Sequence, residues 1–519
     1  MKLTKRDGGS RRFFFWRRIC LVLAALFLGG WLAVAAGAWA NVKYRRGFSE
    51  ARYLDLAVPW RWGRYRAAMG AHYLAMGRLG LEQGHPDTAL NYLNASLTLM
   101  PGNLESLRLA ALAQFRLGHK TAALALLRAG LPSAAAAGDE GFLKAYFDVA
   151  FDLQDDDGAF TAGRRLLPPQ PDSLRIHRFI ALQLATARFN RGHYDEAQQI
   201  IATWRLQDFP EGEVLFALCY SERGMRGIAM RRLENDLDRF TQRDQIFIAL
   251  ERLARDMKLP REVCRYALLR ELAEPTVPQA RIDLIYAYHA LDSNEDVRKE
   301  IDSYCADFRS DADALTLLAQ FAADEGDPDT AERVRDLARA SGIPTTGFDL
   351  GIVQACIVAR DYLRAIRVIT VAQTGRQSMG RPYEATVAGM KAVALFGAGD
   401  GGAKLAFSDF LPLSEALRPT IGLFLVDQLH RAGFDEQSRQ LLERVCADHP
   451  DDLPALAELI RGDAAAGDRN GLVTNLPRIL KMRKPPRDAL EGSLARLDPA
   501  KDAALRAEVT EALLAGPKP

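Results

Sequence analysis

Residues 84–89, GHPDTA, contain the pattern that decides the fold of this chain: a turn residue, four spacers and a small residue. The pattern returns 34 residues later, from Gly118 to Ala123, and again from Gly192 to Ala197. Further turn residues follow at intervals of 34 within a central and a C-terminal series: Gly224, Lys258, Asp292, Gly326 and Arg360, then Gly399, Gly433 and Gly467. Self-similarity at a fixed period of this length is the sequence signature of a repeat array.

The residue five positions after the turn is small in most of these copies. In the central series these residues are Ala229, Val263, Val297, Ala331 and Ala365. An irregular copy fits between Gly118 and Gly192, with Asp157 as its turn residue and Ala162 as its small residue. About 12 copies therefore fit between Arg66 and Lys484.

Each copy is predicted to fold as two antiparallel helices joined by a tight turn. Glycine adopts a left-handed backbone at the turn without penalty, and the small residue lets the second helix approach the first closely. Proline ends the second helix in three copies, at Pro101, Pro275 and Pro450. One helix pair cannot bury its apolar face alone, so neighbouring pairs are expected to stack around a continuous core.

The 34-residue period, with its turn residue, small residue and closing proline, resembles the tetratricopeptide repeat family over most of the chain. The resemblance implies an all-α, right-handed superhelical solenoid of antiparallel helix pairs. It also implies a protein-binding scaffold without catalytic activity. With the apolar segment near its N-terminus, the chain is similar to membrane-anchored bacterial members of that family.

In this family the concave groove is lined by the first helix of each pair. Carried onto the well-registered central copies, the resemblance implies a peptide groove that mixes apolar, basic and amide side chains. Such a set suits an extended peptide or a partner helix. The implied groove residues are Ile248, Arg252, Arg255, Tyr286, His289, Thr316, Gln320 and Gln354.

An uncharged stretch from Ile19 to Ala40, ICLVLAALFLGGWLAVAAGAWA, precedes the repeats. As a helix it extends about 33 Å, which is enough to cross the apolar core of a bilayer. Residues 1–18 carry seven basic side chains and one acidic side chain. The positive-inside rule then predicts a single-pass protein of the inner membrane, with residues 1–18 in the cytoplasm and the body outside it.

Two export signals compete with this transmembrane interpretation. Ala38-Trp39-Ala40 matches a signal-peptide cleavage site, after which the protein would be a soluble exported adaptor. Residues 10–14, SRRFF, resemble a twin-arginine signal. The apolar run is longer than the core of a typical signal peptide, which favours a retained anchor.

Five segments follow from these patterns. We expect a basic N-terminus at 1–18, a transmembrane helix at 19–40, a basic juxtamembrane segment at 41–66, the repeat array at 67–484 and a capping helix with a tail at 485–519. The array is irregular near 135–157 and 368–399. Segment 41–66 has seven basic and two acidic residues, so it either lies against anionic headgroups or forms a solvated entry to the first copy.

No residue pattern predicts catalysis, a cofactor or a metal site. Of the eight histidines, His85, His119 and His193 follow turn glycines, and the six cysteines form no C-x-x-C pair. The clusters of acidic residues at 155–157 and 448–452 are expected to cap helices. Residues 41–519 carry a net charge of −4, which argues against a nucleic-acid partner, and no small-molecule substrate is expected.

The sequence thus predicts a non-enzymatic, membrane-anchored scaffold that mediates protein–protein interactions in a cell-envelope complex. Secretion, polysaccharide export and envelope assembly are the processes in which such a scaffold would serve. Two alternatives remain open: the soluble exported adaptor, and an accessory subunit of an envelope enzyme.

Overall fold

The regular structure of the chain is helical throughout the part described by the computed structural model, residues 8–45, 47–373 and 380–514. These ranges contain 28 α-helices, a few short 3₁₀ or π turns and no strand. The chain divides into two compact units, Met1–Leu184 and Ala185–Pro519. The predicted all-α class is confirmed.

The first unit begins with a long apolar helix, followed by one short helix and three helix pairs. Its helices are α1 (Gly8–Ala40), α2 (Tyr53–Ala57), α3 (Trp62–Glu82), α4 (Pro86–Leu99), α5 (Leu104–Arg116), α6 (Lys120–Ala137), α7 (Glu140–Asp152) and α8 (Asp156–Arg164). The next helix, α9 (Arg175–Asn190), contains the division between the units.

The second unit continues the helix pairs to the C-terminus. Its helices are α10 (Tyr194–Thr203), α11 (Pro210–Glu222), α12 (Arg226–Asn235), α13 (Asp244–Asp256), α14 (Pro260–Ala273), α15 (Pro278–His289), α16 (Asn294–Asp307), α17 (Ala312–Glu325), α18 (Pro328–Ala340), α19 (Thr346–Val358), α20 (Tyr362–Gln373), α21 (Arg381–Gly397), α22 (Ala403–Phe410), α23 (Pro419–Arg431), α24 (Asp435–Asp448), α25 (Leu453–Ala466), α26 (Arg469–Ile479), α27 (Arg487–Leu494) and α28 (Ala503–Leu514).

Glycines on α3 show that the helices of a pair run antiparallel and approach closely. A methyl group at Gly70 would meet Met100, one at Gly77 would meet Leu93, and one at Gly80 would meet Ala89. As the position on α3 moves toward the C-terminus of that helix, the facing position on α4 moves toward the N-terminus of α4. Helix packing this tight requires small side chains at the contact.

The predicted turn residues have the left-handed backbone that the pattern requires. Each turn glycine from Gly84 to Gly467 has a positive φ, between 68° and 85°. Lys258, Asp292 and Arg360 adopt the same conformation, with φ of 57°, 57° and 61°. A left-handed backbone costs about 1–2 kcal/mol at a residue that carries a side chain. The 34-residue repeat therefore keeps the turn conformation at three residues whose own backbone preference disfavours it.

The irregular copy is in a different register from the one predicted. Its left-handed turn residue is Gln154, with φ 56°, and not Asp157. The small residue five positions later is Ala159, which is fully buried, whereas Ala162 is half-exposed. Asp155 caps α8 by accepting a hydrogen bond from the backbone N–H of Gly158 at 3.2 Å, so the acidic run begins the helix instead of forming the turn.

The core is continuous over a long part of the second unit. One cluster of buried apolar side chains runs from Ala322 on α17 to Leu459 on α25, across five helix pairs. The small residues Ala229, Ala331 and Ala365 are buried at their helix contacts. Each pair therefore shares its core with its neighbours, as expected of stacked repeats.

Two further helices close the C-terminal end of the array, and four of the six thiols are buried. Two helices, α27 and α28, follow α26, and their Leu490 and Val509 are buried in the same cluster as Ile460. The cysteines are free thiols, of which Cys20 is exposed and Cys264 half-buried; the others, Cys219, Cys305, Cys356 and Cys446, are buried.

The apolar helix α1 is long and apolar enough to cross a membrane. The candidate span covers Arg18–Arg45, has a mean hydropathy of 2.5 and is 6% buried inside the protein. After it, the chain turns back along the C-terminal half of α1. The indole N–H of Trp39 donates to the Ala51 carbonyl at 2.9 Å, and that of Trp31 donates to the Ala57 carbonyl at 2.8 Å. Residues 47–66, called the collar below, thus pack beside the apolar helix.

Candidate binding groove

The predicted groove residues lie on the first helices of successive pairs, α13, α15, α17 and α19. All of them are exposed or half-exposed. Apolar residues on the opposite faces of these helices, such as Leu250, Ile285, Leu318 and Ile352, are buried in the core. The exposed face of each first helix is therefore available for binding.

Three of the predicted residues converge on one carboxylate, Asp324, near the end of α17. The side-chain amide of Gln320 donates to Asp324 Oδ1 at 2.7 Å, and that of Gln354 donates to the same oxygen at 3.1 Å. The hydroxyl of Tyr286 donates to Asp324 Oδ2 at 3.0 Å. Side chains from α15, α17 and α19 are thereby held in one network.

The neighbouring carboxylate, Glu325, faces a fourth predicted residue. His289 Nδ1 lies 3.4 Å from Glu325 Oε2. The rings of Tyr286 and His289 both contact Phe321, with ring centroids 4.9 and 6.0 Å apart. Burial raises the pKa of the Tyr286 hydroxyl, and the negative charge of Asp324 raises it further.

Tyr286, His289, Asp324 and Glu325 line a cavity of about 710 Å³ whose lining carries charges of both signs. Arg255 and Lys258 supply positive charge, and Asp283, Asp292, Asp324 and Glu325 supply negative charge. Such a site matches a peptide segment that carries charges of both signs, because each group finds an opposite charge in the groove.

Sequence reasoning did not identify Asp324 and Glu325. The signal was present, because Thr316, Gln320 and Asp324 are spaced four residues apart and so follow one face of α17. Thr316 itself donates to the Ala312 carbonyl of its own helix at 2.7 Å. Ile248, which is 44% exposed, does not line the cavity, and neither do Arg252, Thr316, Gln320 and Gln354.

Arg252 lies near a residue distant in sequence, Lys484. The Lys484 ammonium lies 3.5 Å from the centre of the Phe189 ring and 3.4 Å from Glu222 Oε1. Burial lowers the pKa of Lys484, and the positive charge of Arg252 lowers it further, against the effect of Glu222. Arg191 also donates to the Lys481 carbonyl at 3.5 Å. We call these contacts the Lys484 clasp.

A second cavity, of about 1020 Å³, lies among α23, α24 and α25. Its apolar surface includes Val426, Leu442 and Leu453, and its charged lining includes Arg439 and Arg461. The sequence contained a hint of it, since small residues on α25 leave space there; these are Gly462, Ala465 and Ala466.

A buried ionic network lies behind the groove on α13, α14 and α15. Arg270, which is 3% exposed, donates to Asp244 Oδ1 at 2.6 Å and also to Asp283. Glu251 is equally buried, and its Oε1 has no hydrogen-bond partner in the described part of the chain. Burial raises the pKa of Glu251 from 4.5 to about 7, and the charge of Asp283 contributes to the increase.

Glu251 should make the stability of the second unit depend on pH. Between pH 4.5 and about 7 the folded chain holds a proton that the unfolded chain releases, so stability falls as pH rises through this window. Glu251→Gln removes this dependence and should stabilise the protein at pH 8 by about 1–2 kcal/mol. Thermal unfolding at pH 5 and pH 8 measures both effects.

The matched control for this prediction is Glu295→Gln, because the Glu295 side chain is 80% exposed and pairs with Lys299 on the surface. That variant should retain the pH dependence of the parent protein. Equal pH profiles for Glu251→Gln and the parent would contradict the burial of a protonated Glu251.

Within the described ranges, the side chains of histidine, cysteine, aspartate and glutamate form no group of three or more that could hold a metal ion.

Comparisons with known proteins give likenesses of fold alone. No protein-family profile and no curated protein matches the sequence. Among solved structures, yeast Tom70 shares 12% identity at a TM-score of 0.34, covering 86% of this chain and 95% of that one. The structure of Naa15/Naa10 bound to HypK-THB shares 14% identity at a TM-score of 0.31, covering 86% of this chain and 75% of that one.

A tetratricopeptide repeat protein from Parabacteroides merdae shares 11% identity at a TM-score of 0.30, covering 63% of this chain and 99% of that one. At such low scores these likenesses indicate nothing about what this chain binds. The tetratricopeptide-like fold is evident from the chain's own antiparallel helix pairs and left-handed turns at 34-residue spacing.

Proposed function

We propose that this tetratricopeptide-like array is a non-enzymatic, membrane-anchored scaffold that binds partner proteins of a cell-envelope complex. The observation that carries the proposal is the convergence of Tyr286, Gln320 and Gln354, from three successive first helices, on Asp324. A network of this kind fixes the groove side chains before a partner arrives, which reduces the entropy lost on binding.

The chemistry of the groove favours a peptide segment with charges of both signs. Arg255 and Lys258 would attract a carboxylate of the partner, and Glu325 would attract a lysine or arginine. The exposed Ile248 would offer apolar contact on α13. Such a partner would be a component of secretion, polysaccharide export or envelope assembly.

The proposed anchor is α1, which would hold the array at the inner membrane with residues 1–18 in the cytoplasm. The collar supports retention of this helix over cleavage after Ala40. Cleavage would remove Trp31 and Trp39, whose indoles donate to carbonyls at Ala57 and Ala51. Those contacts tie the anchor to the start of the array.

Site-specific photo-crosslinking in the native membrane tests this function. A photoreactive amino acid in place of Thr316 or Ile248 should capture the same protein, because both positions lie on the predicted groove and outside the Asp324 network. The control position is Arg298, an exposed residue on the second helix α16. The variant Glu325→Lys, combined with the probe at Ile248, should reduce capture several-fold by reversing a charge of the groove.

Capture of the same protein at Arg298 with equal yield would contradict a groove-specific partner. Unchanged capture by the Glu325→Lys variant would contradict the assigned charge preference.

A further inference from the structure

The collar presents large apolar side chains to its surroundings beside the apolar helix α1. Trp60 is 86% exposed, Leu54 is 55% exposed and Trp62 is 41% exposed. Tryptophan is strongly enriched where a membrane meets water, because its ring is apolar and its N–H is polar. The two exposed tryptophans and the exposed leucine of the collar therefore fit an apolar environment.

The depth of the collar follows from its contacts with α1. Trp31 donates a hydrogen bond to the Ala57 carbonyl, and its ring centroid lies 5.9 Å from that of Trp62; it stands nine residues before Ala40. That distance is about 13 Å of helix. The Tyr53 hydroxyl also donates to the Leu32 carbonyl at 3.1 Å. The collar thus lies alongside the apolar span and not beyond its end.

The charges of the same segment match an anionic surface. The collar has four basic residues against two acidic ones, and three of the four, Arg52, Arg64 and Arg66, are exposed. Arginine extends its aliphatic stem through an apolar layer and places its guanidinium among headgroups. Basic residues near a membrane surface are attracted to anionic lipids.

We propose that the collar is a lipid-binding element that inserts into the leaflet on the side of the array. Trp60, Trp62 and Leu54 would lie among the acyl chains, and the arginines would bind anionic phospholipid headgroups. The inference rests on the proposed membrane anchor and adds a second contact with the bilayer. Two contacts with the bilayer restrict the orientation of the array relative to the membrane, whereas a single helix would let the array rotate about its point of attachment.

Spin labels on the full-length protein in lipid nanodiscs test this placement. In a background with Cys20 and Cys264 replaced by alanine, the variants Trp60→Cys, Leu28→Cys and Arg108→Cys each carry one nitroxide. Leu28 lies on α1 and reports on the anchor, and Arg108 is exposed on α5 and reports on water. Accessibility to oxygen and to a water-soluble nickel chelate gives the depth of each label.

The label at Trp60 should resemble that at Leu28, with an oxygen-to-nickel accessibility ratio several-fold higher than at Arg108. A Trp60 label in water with Leu28 in lipid would overturn the collar proposal and leave the anchor intact. Both labels in water would overturn the anchor itself. A Trp60 label shielded from oxygen and nickel alike would show that protein, and not lipid, covers the collar.

The lipid preference is tested by the same Trp60 measurement in two nanodisc compositions. Phosphatidylglycerol mixed with phosphatidylcholine should draw the label deeper than phosphatidylcholine alone, and the difference should shrink in high salt. Equal depth in both compositions would overturn the assignment of anionic headgroups.

Discussion

Replacing Gly212 with alanine is expected to destabilise the second unit by about 2–3 kcal/mol, because the new methyl group has no space. Gly212 is buried on α11, where the helix packs against the short 3₁₀ turn Leu206–Asp208. A methyl group there would lie far inside contact distance of the Leu206 carbonyl, which belongs to the backbone. Backbone atoms cannot move aside as the end of a flexible side chain can.

Thermal unfolding followed by circular dichroism measures this effect. The matched control is Gly227→Ala on the next helix, α12, where a methyl group would meet no atom within 4 Å. That variant should be as stable as the parent or more stable by up to about 1 kcal/mol, since alanine suits a helix better than glycine. Similar losses from both substitutions would contradict a specific clash at Gly212.

Replacing Arg270 with methionine is expected to cost about 3–5 kcal/mol at pH 8. Arg270 is buried between Asp244 and Asp283, and it also offsets the charge of Glu251. Methionine preserves much of the volume but leaves the carboxylates without their cation. The loss should be smaller at pH 5, where Glu251 is protonated, because fewer negative charges then remain together.

The control for Arg270 is an ion pair at the surface. Arg333 and Asp302 form a pair whose side chains are 46% and 65% exposed, so Arg333→Met should cost less than about 1 kcal/mol. Thermal unfolding at both pH values compares the two variants. Equal destabilisation by the two substitutions would show that burial does not govern the strength of the Arg270 network.

The repeat register was predictable from sequence because the left-handed turn and the small residue are both local requirements. Even Lys258 and Arg360, which have no intrinsic preference for that backbone, were placed correctly by the 34-residue spacing. Gln154 was not, since glutamine is not a typical turn residue and the neighbouring run of aspartates resembles one.

The candidate groove was predictable in part. Family positions indicated Tyr286, Gln320 and Gln354, but their common partner Asp324 depends on three helices being side by side. The return of the collar along α1 depends on indole–carbonyl hydrogen bonds that no periodicity encodes.

The Lys484 clasp has a mechanical consequence. A stack in which each helix pair touches only its neighbours is easily stretched. It extends further under a given force when it contains more pairs. The clasp joins Arg191 to Lys481 across 290 residues, with every helix from α10 to α26 between the two points. A force that pulls those two points apart would act first on the Lys484 clasp. The second unit should therefore resist stretching until the contacts of the clasp break, and it should then lengthen abruptly.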